Sequence, residues 1–188
     1  MTQLAAAALP DLTALHAAAT AVGLTVSASA CWPETDADTE VKPLAGFIES
    51  SFSPLLAEAA GRVLRRRPEP AAQDRVTAVV MVTALGDVSS AAHVARAVDL
   101  GQRIGPLLFF QSVPNAVAGY LAARWQLTGP VVCVGGLGAG LDIAAALIED
   151  ADADEALVVW VDLGVTAEDR DRAAALLVTG SADGKGPP

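Results

Sequence analysis

Apolar residues along the chain fall into two kinds of run. Arg75–Ala84 (RVTAVVMVTA) and Ala156–Asp162 (ALVVWVD) are almost unbroken and rich in β-branched residues. Such runs predict strands buried on both faces of a parallel sheet. Leu24–Ala30 (LTVSASA) and the short Val131–Val134 predict two more strands. The second kind recurs at helical spacing. It predicts helices over residues 2–21 (with a break at Pro10-Asp11), Phe52–Arg66, Ser89 or Ser90 to Leu100, Pro114–Trp125 and Thr166–Leu177. Leu141–Glu149 is apolar on nearly every side and predicts a buried helix.

The stretches between these runs are polar or glycine-rich. Trp32–Pro43, Gly101–Gly105 and the acidic Asp150–Glu155 read as solvated loops and turns, and Pro68–Asp74 reads as a linker. Leu85-Gly86-Asp87 and Gly135–Gly140 read as turns, the second of them tight. Alternating strands and helices give an α/β fold with a mainly parallel sheet. One domain is expected over residues 1–179, with a disordered polar tail over 180–188.

Composition narrows the function. The chain has 188 residues, 53% hydrophobic but only 4% aromatic, with a formal net charge of −10. Small aliphatic side chains suit close packing of helices on a sheet. The negative charge disfavours nucleic acid and anionic membranes as partners. Arg65-Arg66-Arg67 is the one basic run, at the end of a predicted helix, where it complements the helix dipole. An acidic carrier protein could also dock on such a patch.

Two cysteines and two histidines are too few and too scattered for a metal site, and they fit a reducing cytosol. The Ala-rich start reaches Ser29-Ala30-Cys31 with no Lys or Arg before Lys42, and Asp11 and His16 interrupt it. That is unlike a secretory leader. A cytoplasmic protein is expected, without a bound cofactor.

The candidate chemistry lies in Leu107–Asp162. A short strand, a glycine turn and an apolar helix follow one another there, a layout in which the helix N-terminus favours an anion or thiolate. The glycines 135, 136, 138 and 140 invite a dinucleotide reading, but Leu141 stands where the third glycine of that fingerprint belongs. Val113-Pro114-Asn115-Ala116-Val117-Ala118-Gly119 and Leu127-Thr128-Gly129-Pro130 carry a family likeness. This stretch resembles the ketosynthases of fatty acid and polyketide synthesis, which have the thiolase-like fold. Val80–Pro106 resembles the strand, turn and helix that precede it in the β-ketoacyl synthase N-terminal region. The resemblance spans about residues 24–178 and corresponds to about the first half of a ketosynthase.

Aligned from Gly129-Pro130, the family's nucleophilic cysteine falls on Gly138, which has no side chain to carry an acyl group. Cys133 lies five residues earlier, in the predicted strand. His16 and His93 match neither catalytic histidine of the family, both of which lie beyond the matched half. The resemblance therefore implies a layered thiolase-like half-domain with a buried central helix and no ketosynthase catalysis of its own. It implies a non-catalytic accessory subunit of polyketide or fatty-acyl biosynthesis, for which the chain length factors of the family are a precedent.

The implied partners are a second copy, a ketosynthase-type subunit or an acyl carrier protein, met near Val131–Val134 and Asn115. A half-molecule is expected to leave apolar sheet surface that a partner covers. Asn115, Cys133, Gly136 and Phe110 are candidate acyl or partner contacts, with Asn115 also reading as a cap or turn residue and Cys133 as a buried core thiol. The alternatives are a small enzyme with altered chemistry on acyl thioesters, using Cys133, His93 or Asp87, and a nucleotide-binding domain.

Overall fold

The computed structural model describes residues 9–68, 75–106, 108, 112–164 and 170–181. In chain order the elements are α1 (Leu12–Ala21), β1 (Leu24–Trp32), α2 (Phe52–Arg65), β2 (Thr77–Val82) and α3 (Val88–Asp99). They continue as α4 (Asn115–Trp125), β3 (Val131–Val134), α5 (Leu137–Glu149), β4 (Glu155–Asp162) and β5 (Arg172–Gly180). The strands form one sheet in the order β1-β5-β4-β2-β3. β2 pairs in parallel with β3 and β4, and β5 pairs antiparallel with both β4 and β1. Four of the five strands therefore run the same way and only β5 opposes them.

Period-two alternation divides the core into two layers. Val79, Met81, Leu157, Val159, Ala175 and Leu177 face α2 and α4. Ala78, Val80, Val82, Val158, Trp160 and Leu176 face α1 and α5. The chain's own helices cover both faces of the central strands. Over edge strand β3 the α2/α4 face stays partly open, with Val131 and Cys133 exposed, so the expected uncovered sheet surface is confined to this edge.

The buried central helix is α2. Ten of its fourteen residues are buried, from Phe52 to Leu64, because helix α4 and the segment before α2 close over it. The sequence pointed instead to Leu141–Glu149. That helix begins earlier, at Leu137, and is one-sided: Leu141, Ala144 and Ala145 are buried while Asp142 and Ala146 are exposed.

Thr166–Leu177 does not form the expected helix. Residues 165–169 lie outside the described residues, and Arg172–Gly180 is strand β5. Ala-Ala-Ala-Leu-Leu favours a helix by intrinsic propensity, but pairing on both edges and burial on both faces decide for a strand. Gly180 closes β5, and the amide of Ser181 donates to the carbonyl of Gly23 (3.1 Å). The rest of the expected tail lies outside the described residues.

Asp11 starts α1 by accepting from the amide of Ala14 (2.8 Å). Asp87 caps α3: its carboxylate accepts from the amide of Ser90 (3.0 Å) and from both serine hydroxyls (2.8 Å each). The serines expected to cap this helix are therefore its donors. Glu155 leaves the expected solvated turn altogether. It opens β4 at 1% exposure and accepts from the Thr77 hydroxyl (2.8 Å), with Arg67 at 2.6 Å and Arg75 at 3.3 Å.

Candidate functional site

Strand β3 lies at the edge of the sheet and feeds α5 through Gly135-Gly136. Gly136 has φ 95°, a backbone conformation open to glycine and strained for other residues. A Cβ on Gly140 would strike the Val82 side chain, so this glycine lets α5 sit close on β2. Gly138 is different: a Cβ there meets nothing within 4 Å, and the residue is exposed. It stands in the first turn of α5, where backbone N–H groups lack helical acceptors. The place that the resemblance assigns to a nucleophile is thus exposed and open, and carries no side chain.

Cys133 does not substitute for it. It is paired in register with Met81, on the α2/α4 face, whereas α5 packs on the opposite face. The sequence suggested a buried core residue. The structure leaves the thiol exposed, because β3 is an edge strand with a neighbour on one side only. Partial burial still raises its pKa above the ordinary thiol value. A raised pKa favours the protonated thiol at neutral pH.

Asn115 opens α4 and is exposed. The cap position belongs to Pro114, which makes no side-chain cap bond, so the expected cap role of Asn115 is not realised. Phe110 lies outside the described residues. His93 pairs with Glu49 (3.0 Å) and Asp87 is held by Ser89 and Ser90. No hydrogen bond joins Cys133, His93 and Asp87 among the described residues, so the alternative catalytic set is not assembled.

The basic run is largely spent within the molecule. Arg66 pairs with Glu34 (2.7 Å) and Arg67 with the buried Glu155. Arg62, one turn earlier, holds Glu58 (2.9 Å) and Asp38 (2.8 Å).

Two further features escaped the sequence reading. The first is the free edge of β3. The carbonyls of Pro130 and Val134 are used by β2, accepting from Val79 (2.8 Å) and Thr83 (3.0 Å). By the alternation of a parallel ladder, the amides of Val131 and Cys133 point to the open side. The second is a groove of about 600 Å³ between Ala91, Val94 and Ala95 of α3 and Ile104, Pro106 and Ser112. Exposed apolar side chains also occur at the end of α3 (Val98 and Leu100), before α4 (Val113) and on β3 (Val131). The described residues hold no cluster of metal-ligating groups, and no described helix is long and apolar enough to cross a membrane.

No family model and no curated protein matches the sequence. Solved structures do. A ketosynthase in complex with its chain length factor from Xenorhabdus doucetiae matches with TM-score 0.61 and 20% identity, over 92% of this chain and 74% of that one. The ishigamide ketosynthase/chain length factor matches with TM-score 0.61 and 20% identity, over 83% of this chain and 50% of that one. A β-ketoacyl synthase from Burkholderia phymatum matches with TM-score 0.55 and 16% identity, over 88% of this chain and 54% of that one. This chain thus spans about half the length of two of these three. Its layered α/β architecture is the thiolase-like fold of the ketosynthases.

Proposed function

We propose that this protein is a non-catalytic, ketosynthase-like subunit of polyketide or fatty-acyl biosynthesis that acts by pairing with a ketosynthase-type subunit. The observation that carries the reading is Gly138. Its position at the start of α5 is exposed and has room for a side chain, yet it is glycine. Neither the thiol of Cys133 nor the imidazole of His93 reaches a catalytic arrangement in its place. A chain that keeps the scaffold of the elbow without a nucleophile fits a role in shape and assembly rather than acyl transfer.

The pairing surface in this reading is the open edge of β3 with the exposed Val131 on it. An unpaired strand edge with an exposed valine invites another strand. Two of the similar structures are described as a ketosynthase together with a chain length factor. An acyl carrier protein remains a second partner in the proposal, met through the assembled pair, since the Arg65–Arg67 run is mostly engaged in intramolecular pairs.

The test is co-purification with a ketosynthase-type protein and an acyl carrier protein from the same organism. A one-to-one complex with the ketosynthase-type protein supports the reading. A protein that ignores both and turns over an acyl thioester by itself replaces it with the enzyme reading.

A further inference from the structure

Residues 33–51 run from the end of β1 to the start of α2 without helix or strand. Nineteen residues of irregular chain are long for a connection inside a compact domain, and such segments are commonly functional. This one lies over α2 as a strap. Phe47 is buried, and Val41 and Leu44 are partly buried against the same core layer. Elsewhere its attachment is polar.

At one end the carboxylate of Asp38 accepts from both terminal nitrogens of Arg62 (2.8 and 2.9 Å) and from the amides of Glu34 (2.7 Å) and Thr35 (3.1 Å). Glu34 accepts two bonds from Arg66 (2.7 Å each). Arg62 also bonds Glu58 (2.9 Å) and lies over the Trp32 ring at 4.8 Å. At the other end Ser51 donates from its amide (2.9 Å) to the Ser89 hydroxyl, and Glu49 pairs with His93. Between the strap and Arg170–Asp171 lies a cleft of about 800 Å³, lined by Trp32, Asp38, Phe47 and Pro54.

The contrast with the sheet is large. Every residue of β2 is buried, as are seven of the eight of β4, while the strap rests on three apolar anchors and a set of ion pairs. Segments with few buried apolar contacts open at lower free energy than the strands beneath them. Both Arg62 and Asp38 are largely shielded, their side chains 14% and 15% exposed. The bidentate pair is less exposed than the Glu34–Arg66 pair, whose arginine is 46% exposed, and it ties the strap to α2.

We propose that residues 33–51 open as one unit while the sheet stays folded, that the Arg62–Asp38 pair is the latch, and that opening uncovers the part of α2 beneath the strap. This proposal is independent of the pairing surface on β3.

The experiment is amide hydrogen exchange read by mass spectrometry on the full chain. In the wild type, peptides within 33–51 exchange at least about tenfold faster than those of β4 and β5. Asp38→Asn, which keeps an acceptor for the Glu34 and Thr35 amides but removes the charge, accelerates the strap by a further tenfold or so and leaves β4 and β5 unchanged. Arg62→Lys, a milder change that keeps the charge but loses the fork, gives an intermediate acceleration. Strap exchange that matches β4 and β5 in the wild type overturns independent opening. Strap exchange unaltered in both variants overturns the latch.

Discussion

Cys133 and Gly138 serve opposite faces of the sheet: Cys133 stands beside Met81 on the α2/α4 side, and Gly138 belongs to α5 on the other. Five residues separate them in sequence, yet no shift of a side chain brings the thiol to the helix N-terminus. Cys133 is accordingly an edge-strand thiol without a catalytic base among the described residues. Because burial raises its pKa, the thiolate fraction is small at neutral pH and grows only as pH rises through the raised value. Iodoacetamide labelling of Cys133 should therefore keep accelerating above pH 9 with no plateau below it. An acyl-thioester probe should leave the residue unmodified. A labelling plateau near pH 7, or acyl transfer to Cys133, would show an activated thiol instead.

The three glycines at the start of α5 should respond differently to substitution. Gly138→Cys meets open space and should change stability by no more than about 0.5 kcal/mol. Gly136→Ala places a side chain at φ 95° and should cost about 1–2 kcal/mol. Gly140→Ala drives a methyl group into Val82 and should cost about 1–3 kcal/mol. Urea denaturation of the three variants measures the order directly. A Gly138→Cys protein as unstable as Gly140→Ala would mean that the position has no room for the side chain that catalysis needs.

Glu155 is buried with two arginines and Thr77 at the N-terminal ends of β2 and β4. Glu155→Ala strands Arg67 in a largely buried site and should destabilise the protein by about 3–5 kcal/mol. Equilibrium unfolding that shifts by less than about 1 kcal/mol would assign the cluster a surface role.

The strap carboxylates set an acid dependence. Hydrogen bonds from Arg66 lower the Glu34 pKa, and those from Arg62 hold Asp38 far below the ordinary carboxylate range. Their stabilisation is complete above the unfolded value near pH 4 and is lost as pH falls through the depressed folded values. Unfolding midpoints measured from pH 7 to pH 2 should therefore fall in the acid range. The fall should be shallower in Asp38→Asn, which has no such charge to lose. Parallel curves for the two proteins would remove Asp38 from the effect.

Legibility followed the local signal. β2 and β4 were readable because an apolar run without alternation means burial on both faces. β5 was not, since its alanines and leucines carry a helix preference that only pairing with β1 and β4 overrides. The burial of α2 and of Glu155 also depended on neighbours distant in sequence. At the candidate site, spacing from Gly129-Pro130 leads to Gly138, a position the structure leaves exposed at the start of α5. The exposure of Cys133 was not, because an edge strand and a central strand of valines look alike until the strand order is known.

The central claim is that this chain works as a partner through the open edge of β3. Its most direct test is the solution mass of the protein mixed with a ketosynthase-type protein from the same organism, for the wild type and for Val131→Lys. Val131 is 40% exposed at that edge, so the lysine should leave the fold within about 0.5 kcal/mol of the wild type. The account predicts a one-to-one complex for the wild type and at least a tenfold weaker one for Val131→Lys, because a charge on an exposed edge blocks strand addition. A wild-type monomer that ignores the partner, or a complex untouched by the lysine, would contradict it.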